Sequence, residues 1–381
     1  MPGKRLPPRQ SRKVFIFFEK CVKISCNPKP VDALFPDKPE EISNMKKQKP
    51  IWAILFAVLL IGWTVYVMLD VFVIQRTFQD NATEMNLSMF TSVAPTPSPT
   101  ATPTPVELVK LDPDVTPTPA PTSTPTPTPT PSHFSDTVIE TDIYYVNDHL
   151  SVTLSDYREH NTDIHVAEVW VSSAQYIYTA FAKDKFGRNI EQKPSVMAKN
   201  KDAVLAINGD NYGSREGGYV IRNGVLYRAK KYEQTSRDVL CIMPDGDFYF
   251  TAYDKDKAED LVARGTWQAL TFGPVLVDNS EIKVGVYEEV KLAFAKNPRT
   301  AIGMVEPLHY FIVMADGRTD WSPGISLYQL ADFMKRLGCT KVYNLDGGGS
   351  STMWFRGRVV NFPTSYGTYL EKEVTDIVYL R

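Results

Sequence analysis

The sequence predicts an α+β protein, mainly antiparallel sheet with a few helices, built as a single ectodomain behind an N-terminal transmembrane helix. Three observations predict it. Short alternating apolar runs closed by Asn-Gly or Asp-Gly recur between residues 132 and 381, the pattern of antiparallel hairpins. Helical periodicity is rare there, and no strand–helix–strand unit repeats. One long apolar run near the N-terminus, Ile51–Ile74, exceeds the roughly 20 residues that span a bilayer.

Residues 1–50 form a basic tail, with twelve Lys or Arg (among them Lys4, Arg5, Arg12, Lys46, Lys47 and Lys49) against five acids. A positive flank stays cytoplasmic, so the 51–74 run reads as a single-pass anchor in the cell membrane with the C-terminal part extracytoplasmic. About 50 residues precede it and no small-x-small site follows, which argues against a cleaved signal peptide. Asp70 is tolerable if it lies at the membrane interface. Residues 75–131 read as an extracytoplasmic linker. From Ala94 to Pro131 Thr-Pro pairs dominate, and proline at that density adopts polyproline II, reaching ~100 Å when extended. Asn81-Ala82-Thr83 and Asn86-Leu87-Ser88 match the N-glycosylation pattern. The chain's formal charge of -2 becomes about -9 once the basic head is set aside, which argues against nucleic acid as an external partner.

In the domain over 132–381, Ile164–Val171 and Gln175–Phe181 alternate as strands. Tyr219–Arg222, Asn223-Gly224 and Val225–Tyr227 make a hairpin, and Asp245-Gly246 signals another between Val239–Met243 and Phe248–Phe250. His309–Met314 reads as a buried strand. The clearest helix runs from Ser326, a good N-cap, to Leu337, with Gly338 ending it; a second covers Pro194–Lys199. Cys241 and Cys339 lie in this domain, and spacing leaves open whether they pair.

Four stretches put polar residues where an apolar strand runs out. The first is Asn344-Leu345-Asp346-Gly347-Gly348-Gly349-Ser350-Ser351-Thr352. Three glycines weaken a sheet unless backbone needs positive φ or a ligand approaches bare N–H groups, which suggests an anion-binding nest with Ser350 adding a hydroxyl. The alternative is a glycine-rich hairpin turn. Asn208-Gly209-Asp210-Asn211-Tyr212 ends another apolar run; Arg299-Thr300 opens a strand, where a guanidinium can hold a phosphate bidentately; Ala315-Asp316-Gly317-Arg318 ends a buried strand. The five histidines show no HExxH or comparable spacing, and neither GxSxG nor a P-loop is present.

Taken in order, Asn208-Gly209, Arg299–Gly303, Ala315-Asp316-Gly317, Gly324-Ile325-Ser326-Leu327 and Asn344–Ser350 resemble the phosphodiester glycosidase domain family over roughly residues 165–381. That is the family of the lysosomal "uncovering enzyme" and of bacterial exopolysaccharide-associated homologues. The resemblance implies hydrolysis of a sugar-1-phosphodiester, with a phosphoglycan or polysaccharide of a Gram-positive cell wall or exopolysaccharide as substrate. It implies Asp346, Asp316 and Asp210 as catalytic carboxylates. Substrate would be held by Asn208, Gly209, Tyr212, Arg299, Thr300, Asn344, Gly347, Gly348, Gly349 and Ser350, with Tyr212 stacking on sugar and Asn208 and Asn344 orienting its hydroxyls. No cofactor is expected, although ligand chemistry alone would let Ca²⁺ sit beside the three aspartates. After Gly209 this sequence keeps one aromatic, Tyr212, where the family often has two, and its Thr319–Pro323 loop differs, so a sugar preference is not carried over. The rival reading is a non-catalytic carbohydrate-binding surface protein in envelope or exopolysaccharide assembly. The oligomeric state cannot be read from the sequence.

Overall fold

A computed structural model describes residues 51–77, 133–231, 238–287, 295–365 and 368–381. The basic tail, most of the linker, both glycosylation sequons, Cys21 and Cys26 lie outside the described residues. The chain divides into two units, Met1–Val65 and Tyr66–Arg381. The apolar run is a helix, Ile51–Phe72, and its Trp52–Asp70 segment is long and apolar enough to cross a membrane. Asp70, near its end, pairs with Arg76.

The second unit is mainly antiparallel sheet with few helices, as expected. Its largest sheet has nine strands, in the order 281–282, 275–278, 341–344, 299–306, 309–315, 162–171, 150–159, 144–146 and 139–140. A five-stranded sheet orders 358–359, 353–355, 205–208, 376–380 and 178–181; a second orders 225–228, 220–222, 268–270, 238–242 and 248–252. Two-residue turns make the hairpins where Asn and Gly accept positive φ: Asn223 and Gly224 stand at φ 51° and 79°. The sequence reading missed the longest hairpin, Leu150–Glu159 with Thr162–Val171, whose turn His160-Asn161 lacks glycine yet also has both residues at positive φ. It also read Gln175–Phe181 as one strand, whereas Ala174–Tyr176 is a 3₁₀ turn and only Tyr178–Phe181 is strand.

Alternation sorts side chains to two faces of the nine-stranded sheet. One face, with Val152, Val169, Ile302, Ile312 and Tyr343, packs on Leu205, Ile207, Met353, Phe355 and Val378 of the first five-stranded sheet. The other face, with Ile164, Val166, Ala301 and Val313, receives Leu330, Phe333 and Met334 of the helix Leu327–Arg336. Each such buried side chain contributes ~1.5–3 kcal/mol. Ser326 caps that helix in a reciprocal box with Gln329, and Gly338 at φ 98° follows its end. Glycine is required at 303 because the helix end comes so close: a Cβ there would sit 2.7 Å from Cys339 Sγ. Cys241 and Cys339 are both free, buried in separate clusters, and burial pushes each thiol up to about 12.

Candidate active site

The triple-glycine stretch is not a hairpin. Strand Lys341–Asn344 belongs to the nine-stranded sheet and Met353–Phe355 to the five-stranded one, so residues 345–352 carry the chain from one sheet to the other. Crowding explains the glycines. A Cβ on Gly347 would meet Pro298 O at 2.9 Å and one on Gly349 would meet Ser365 Oγ at 2.7 Å, while Gly348 stands at φ 63°. The turn therefore lies directly on the start of the Arg299 strand, and the Gly348 N–H donates to Pro298 O at 2.8 Å. The N–H groups of Ser350 and Ser351 donate to Gly347 O and Gly348 O. With three N–H groups committed inside the protein, positive charge over the turn comes instead from side chains. Arg318 lies 2.7 Å from where a Gly348 Cβ would be, and Lys372 Nζ is 3.3 Å from Ser350 Oγ. Both cations are exposed.

Asp346 enters this turn partly buried, with its main chain pinned. Asn208 Nδ2 donates to Asp346 O at 2.7 Å, and the Asp346 N–H reaches Gly209 O. Asn208 Oδ1 accepts from Thr300 Oγ1 at 3.0 Å and from the Thr352 N–H at 3.3 Å. Asn208 and Thr300 are thus buried struts that hold the Asp346 backbone rather than groups facing a sugar. Burial raises the Asp346 carboxyl above the ordinary carboxylate range, against the Ser350 hydroxyl, Lys372, Arg215 and the Gly347 N–H, which favour its charge. Glu191 is raised too, first by burial and further by Glu373 and Asp346, with Lys372 opposing.

Asp316 ends strand His309–Ala315 and is 5% exposed. One oxygen accepts from Asn361 Nδ2 at 3.2 Å and from the Phe362 N–H at 2.9 Å; the other lies 3.3 Å from His165 Nε2. His165 Nδ1 is 2.7 Å from Asp156. Burial disfavours the imidazolium, but Asp316 and Asp156 outweigh it and raise the His165 pKa. Asn361 also donates to Ser351 O at 3.1 Å, so Asp316 is tied to the far end of the glycine stretch.

Asp210 has a different environment. It is fully buried and accepts from Arg222 at 2.8 Å and from the Thr271 N–H at 2.7 Å. The same Arg222 nitrogen donates to Asp376 at 2.9 Å. Burial penalises both carboxylates. At Asp210 the Arg222 charge wins and holds it below the usual range; at Asp376 burial and the Asp210 charge win, pushing it up to about 7. Gly209 is glycine because a Cβ would strike the Asp376 carboxyl at 2.5 Å.

Two other expectations need correction. Tyr212 is 1% exposed, its ring packed with Phe181 and Phe186 and lying near Arg222 and Arg228, so no sugar can stack on it. Asn344 is buried, its Nδ2 donating to Gly273 O at 2.8 Å. Arg299 is 9% exposed; Nε donates to Ile325 O and one terminal nitrogen to Ala295 O, while burial and Arg318 bring its pKa to about 10. Among the described residues, no group of three or more His, Cys, Asp or Glu is arranged to hold a metal ion, and Asp210, Asp316 and Asp346 form no such group. The sequence reading assigned no role to Arg215, Arg318, Lys372, Glu191, His165, Asn361 or Asp376. Only Arg318 carried a usable signal, two places after Asp316.

Fold and site together define a sheet-built domain in which a glycine-rich link between two sheets carries Asp346, with Arg318 beside Gly348 and Lys372 beside Ser350 of the same link. Residues 201–381 match the family model for phosphodiester glycosidase, so the likeness read from the motifs is borne out. The chain is 30% identical over 181 residues to the SPbeta prophage-derived uncharacterized protein YomE of Bacillus subtilis (strain 168), covering 46% of this chain and 28% of that protein. It is 23% identical over 176 residues to the N-acetylglucosamine-1-phosphodiester alpha-N-acetylglucosaminidase of Homo sapiens, covering 46% of this chain and 29% of the enzyme. The alignments thus span under a third of these relatives. The catalytic domain of the zebrafish N-acetylglucosamine-1-phosphodiester alpha-N-acetylglucosaminidase, auto-inhibited by its pro-peptide, superposes with a TM-score of 0.49 at 19% identity, covering 61% of this chain and 82% of that one.

Proposed function

We propose that this chain is a membrane-anchored, extracytoplasmic hydrolase that cleaves a sugar-1-phosphodiester in cell-wall or exopolysaccharide glycans. The observation that carries the reading is the meeting of Asp346, a carboxylate with raised proton affinity, with Arg318 and Lys372 over one glycine turn. Arg318 and Lys372 receive the phosphodiester anion and stabilise the charge that builds on the departing phosphate. The bond between the anomeric carbon and the phosphate oxygen breaks, water supplies the hydroxyl to that carbon, and a phosphomonoester leaves. Asp346 moves the proton, and Glu191, electrostatically coupled to it, is the second carboxylate. Asp316, held by Asn361, Phe362 and His165, positions the Arg318 loop, while Asp210 acts through the buried ion cluster that supports Gly209. The helix Ile51–Phe72 and the Thr-Pro linker support placement at the outer face of a membrane.

The test is incubation of the full chain, in detergent, with a sugar-1-phosphodiester and detection of free sugar and phosphomonoester. Turnover by the wild type and its loss in Asp346→Asn supports the reading. Glycan binding without product overturns it in favour of a carbohydrate-binding surface protein.

A further inference from the structure

Beside the glycine turn lies an aromatic surface that the proposed chemistry does not use. Trp321 and Tyr369 are 54% and 55% exposed, unusual for rings of this size held at fixed positions. Phe362 joins them, with its ring centroid 5.6 Å from Trp321 at 75° and 5.1 Å from Tyr369 at 66°. These contacts are edge-to-face, and they hold the outer two rings while leaving each more than half exposed.

The scaffold beneath is stiff. In the Trp321 loop the Thr319 N–H donates to Ser322 O at 3.2 Å, the Ser322 N–H to Thr319 Oγ1 at 3.0 Å, and Arg158 to Trp321 O at 2.7 Å. Ser322 Oγ in turn accepts from the Asp163 N–H at 3.0 Å. Tyr369 stands in the two-stranded hairpin opposite Thr364, and that hairpin places Ser365 against Gly349. Phe362 donates its N–H to Asp316, three residues before Trp321's loop neighbour Thr319. The aromatic surface is therefore continuous with the cation-bearing turn on two sides.

We infer that Trp321, Phe362 and Tyr369 form a saccharide platform, on which a pyranose ring of a glycan chain stacks while the phosphodiester lies at Arg318 and Lys372. This rests on the proposed function and deepens it, making the substrate a glycan of more than one sugar rather than a small sugar phosphate. The apolar CH face of a pyranose suits an open indole or phenol ring, its rim hydroxyls stay in water, and rigid two-torsion side chains lose little freedom on binding. A protein partner would need a larger continuous apolar area than these rings offer. The platform also accounts for sugar stacking that Tyr212, buried in the core, cannot perform.

The experiment is binding, so it does not depend on turnover. The full chain in detergent is titrated with neutral cellohexaose and chitohexaose, followed by intrinsic tryptophan fluorescence and calorimetry, for wild type, Trp321→Ala, Trp321→Phe and Tyr369→Ala. Saturable binding by the wild type is expected with at least one hexasaccharide, weakened about tenfold by each alanine and restored by Trp321→Phe. Unchanged Tm in the alanine variants shows that the loss is local. No wild-type binding, or binding indifferent to both alanine changes, overturns the platform. Failure to cleave a sugar-1-phosphodiester would instead overturn the hydrolase reading and leave this result standing.

Discussion

Two carboxylate centres sit a few residues apart in space and behave oppositely. Asp210 is fully buried, shares Arg222 with Asp376, and reaches no solvent. Asp346 is partly exposed, tied to the first centre through Gly209 O, and lies in the fields of Lys372 and Arg215. In sequence both look alike, as an aspartate beside glycine at a strand end. What separates them is which counter-charge is desolvated. A buried guanidinium holds Asp210 charged and makes it a strut, whereas Asp346 lacks a buried cation and keeps its proton longer.

The sharpest way to break this contrast is Asp346→Asn. Loss of a proton-transfer group predicts a fall of about 10²–10⁴ in kcat. Because the native carboxyl is already disfavoured in its charged form by burial, thermal stability should hold or rise slightly. Steady-state kinetics on a sugar-1-phosphodiester, beside a melting curve, would expose an error if turnover survived or if the variant melted early.

Asp210→Asn should do the reverse. It removes one of the two carboxylates that share the buried Arg222, whose Nε already has no partner among the described residues, leaving Asp376 as its remaining counter-charge, and should cost ~1–3 kcal/mol. Turnover per folded molecule, measured well below the lowered Tm, should stay within a few-fold of wild type. A large kcat loss at full folding would move Asp210 back among the reacting groups.

Arg318→Ala sharpens the contrast on the cation side. Removing an exposed guanidinium over Gly348 should raise KM about tenfold or more for the phosphodiester and leave Tm nearly unchanged, since exposed side chains contribute little to stability. Lys372→Ala should act in the same direction and more weakly, as a flexible point charge. Equal KM values for wild type and both variants would place the anion elsewhere.

Much of this was legible in the sequence, and the failures share a cause. The helix after Ser326, the Asn223-Gly224 hairpin and the long apolar helix Ile51–Phe72 are local patterns, fixed by caps, positive φ and composition. The meeting of residues 208, 299 and 346 joins two sheets: 299–306 and 341–344 are neighbours in the nine-stranded one, and Asn208 reaches Thr300 and the Asp346 carbonyl from the other. Side-chain direction was not legible. Tyr212 has an aromatic's sequence signature but packs inward on Phe186, while Trp321 lay in a loop read only as a departure from the family. The glycine turn looked like a nest since its spacing cannot show that Pro298, Gly347 and Gly348 carbonyls take three of its N–H groups. Arg222 and Asp376, 154 positions apart, give no linear signal of their shared contact.

The pH dependence of stability supplies the finest test, because it reads the ion cluster without perturbing Asp346. Asp376 has its folded pKa pushed up to about 7 from 3.8, so between those values the folded protein binds more proton than the unfolded chain. Stability must then decline as pH climbs from about 4 to about 7. Asp210, shifted the other way, acts below 3.8, where its contribution is lost as pH falls, so the windows do not overlap. His165, raised from 6.5, adds a decline of the same sign at the upper end as Asp316 and Asp156 lose a charged partner. Asp376→Asn, which keeps a hydrogen-bond acceptor for Arg222, should therefore make the fall in melting temperature between pH 4.5 and 6 shallower, leaving the contributions of the raised Asp346 and Glu191 there and of His165 above it, and should destabilise less than Asp210→Asn. A profile that keeps its full acidic-side slope in the Asp376 variant would show that the proton is held elsewhere, with Asp346 the first place to look.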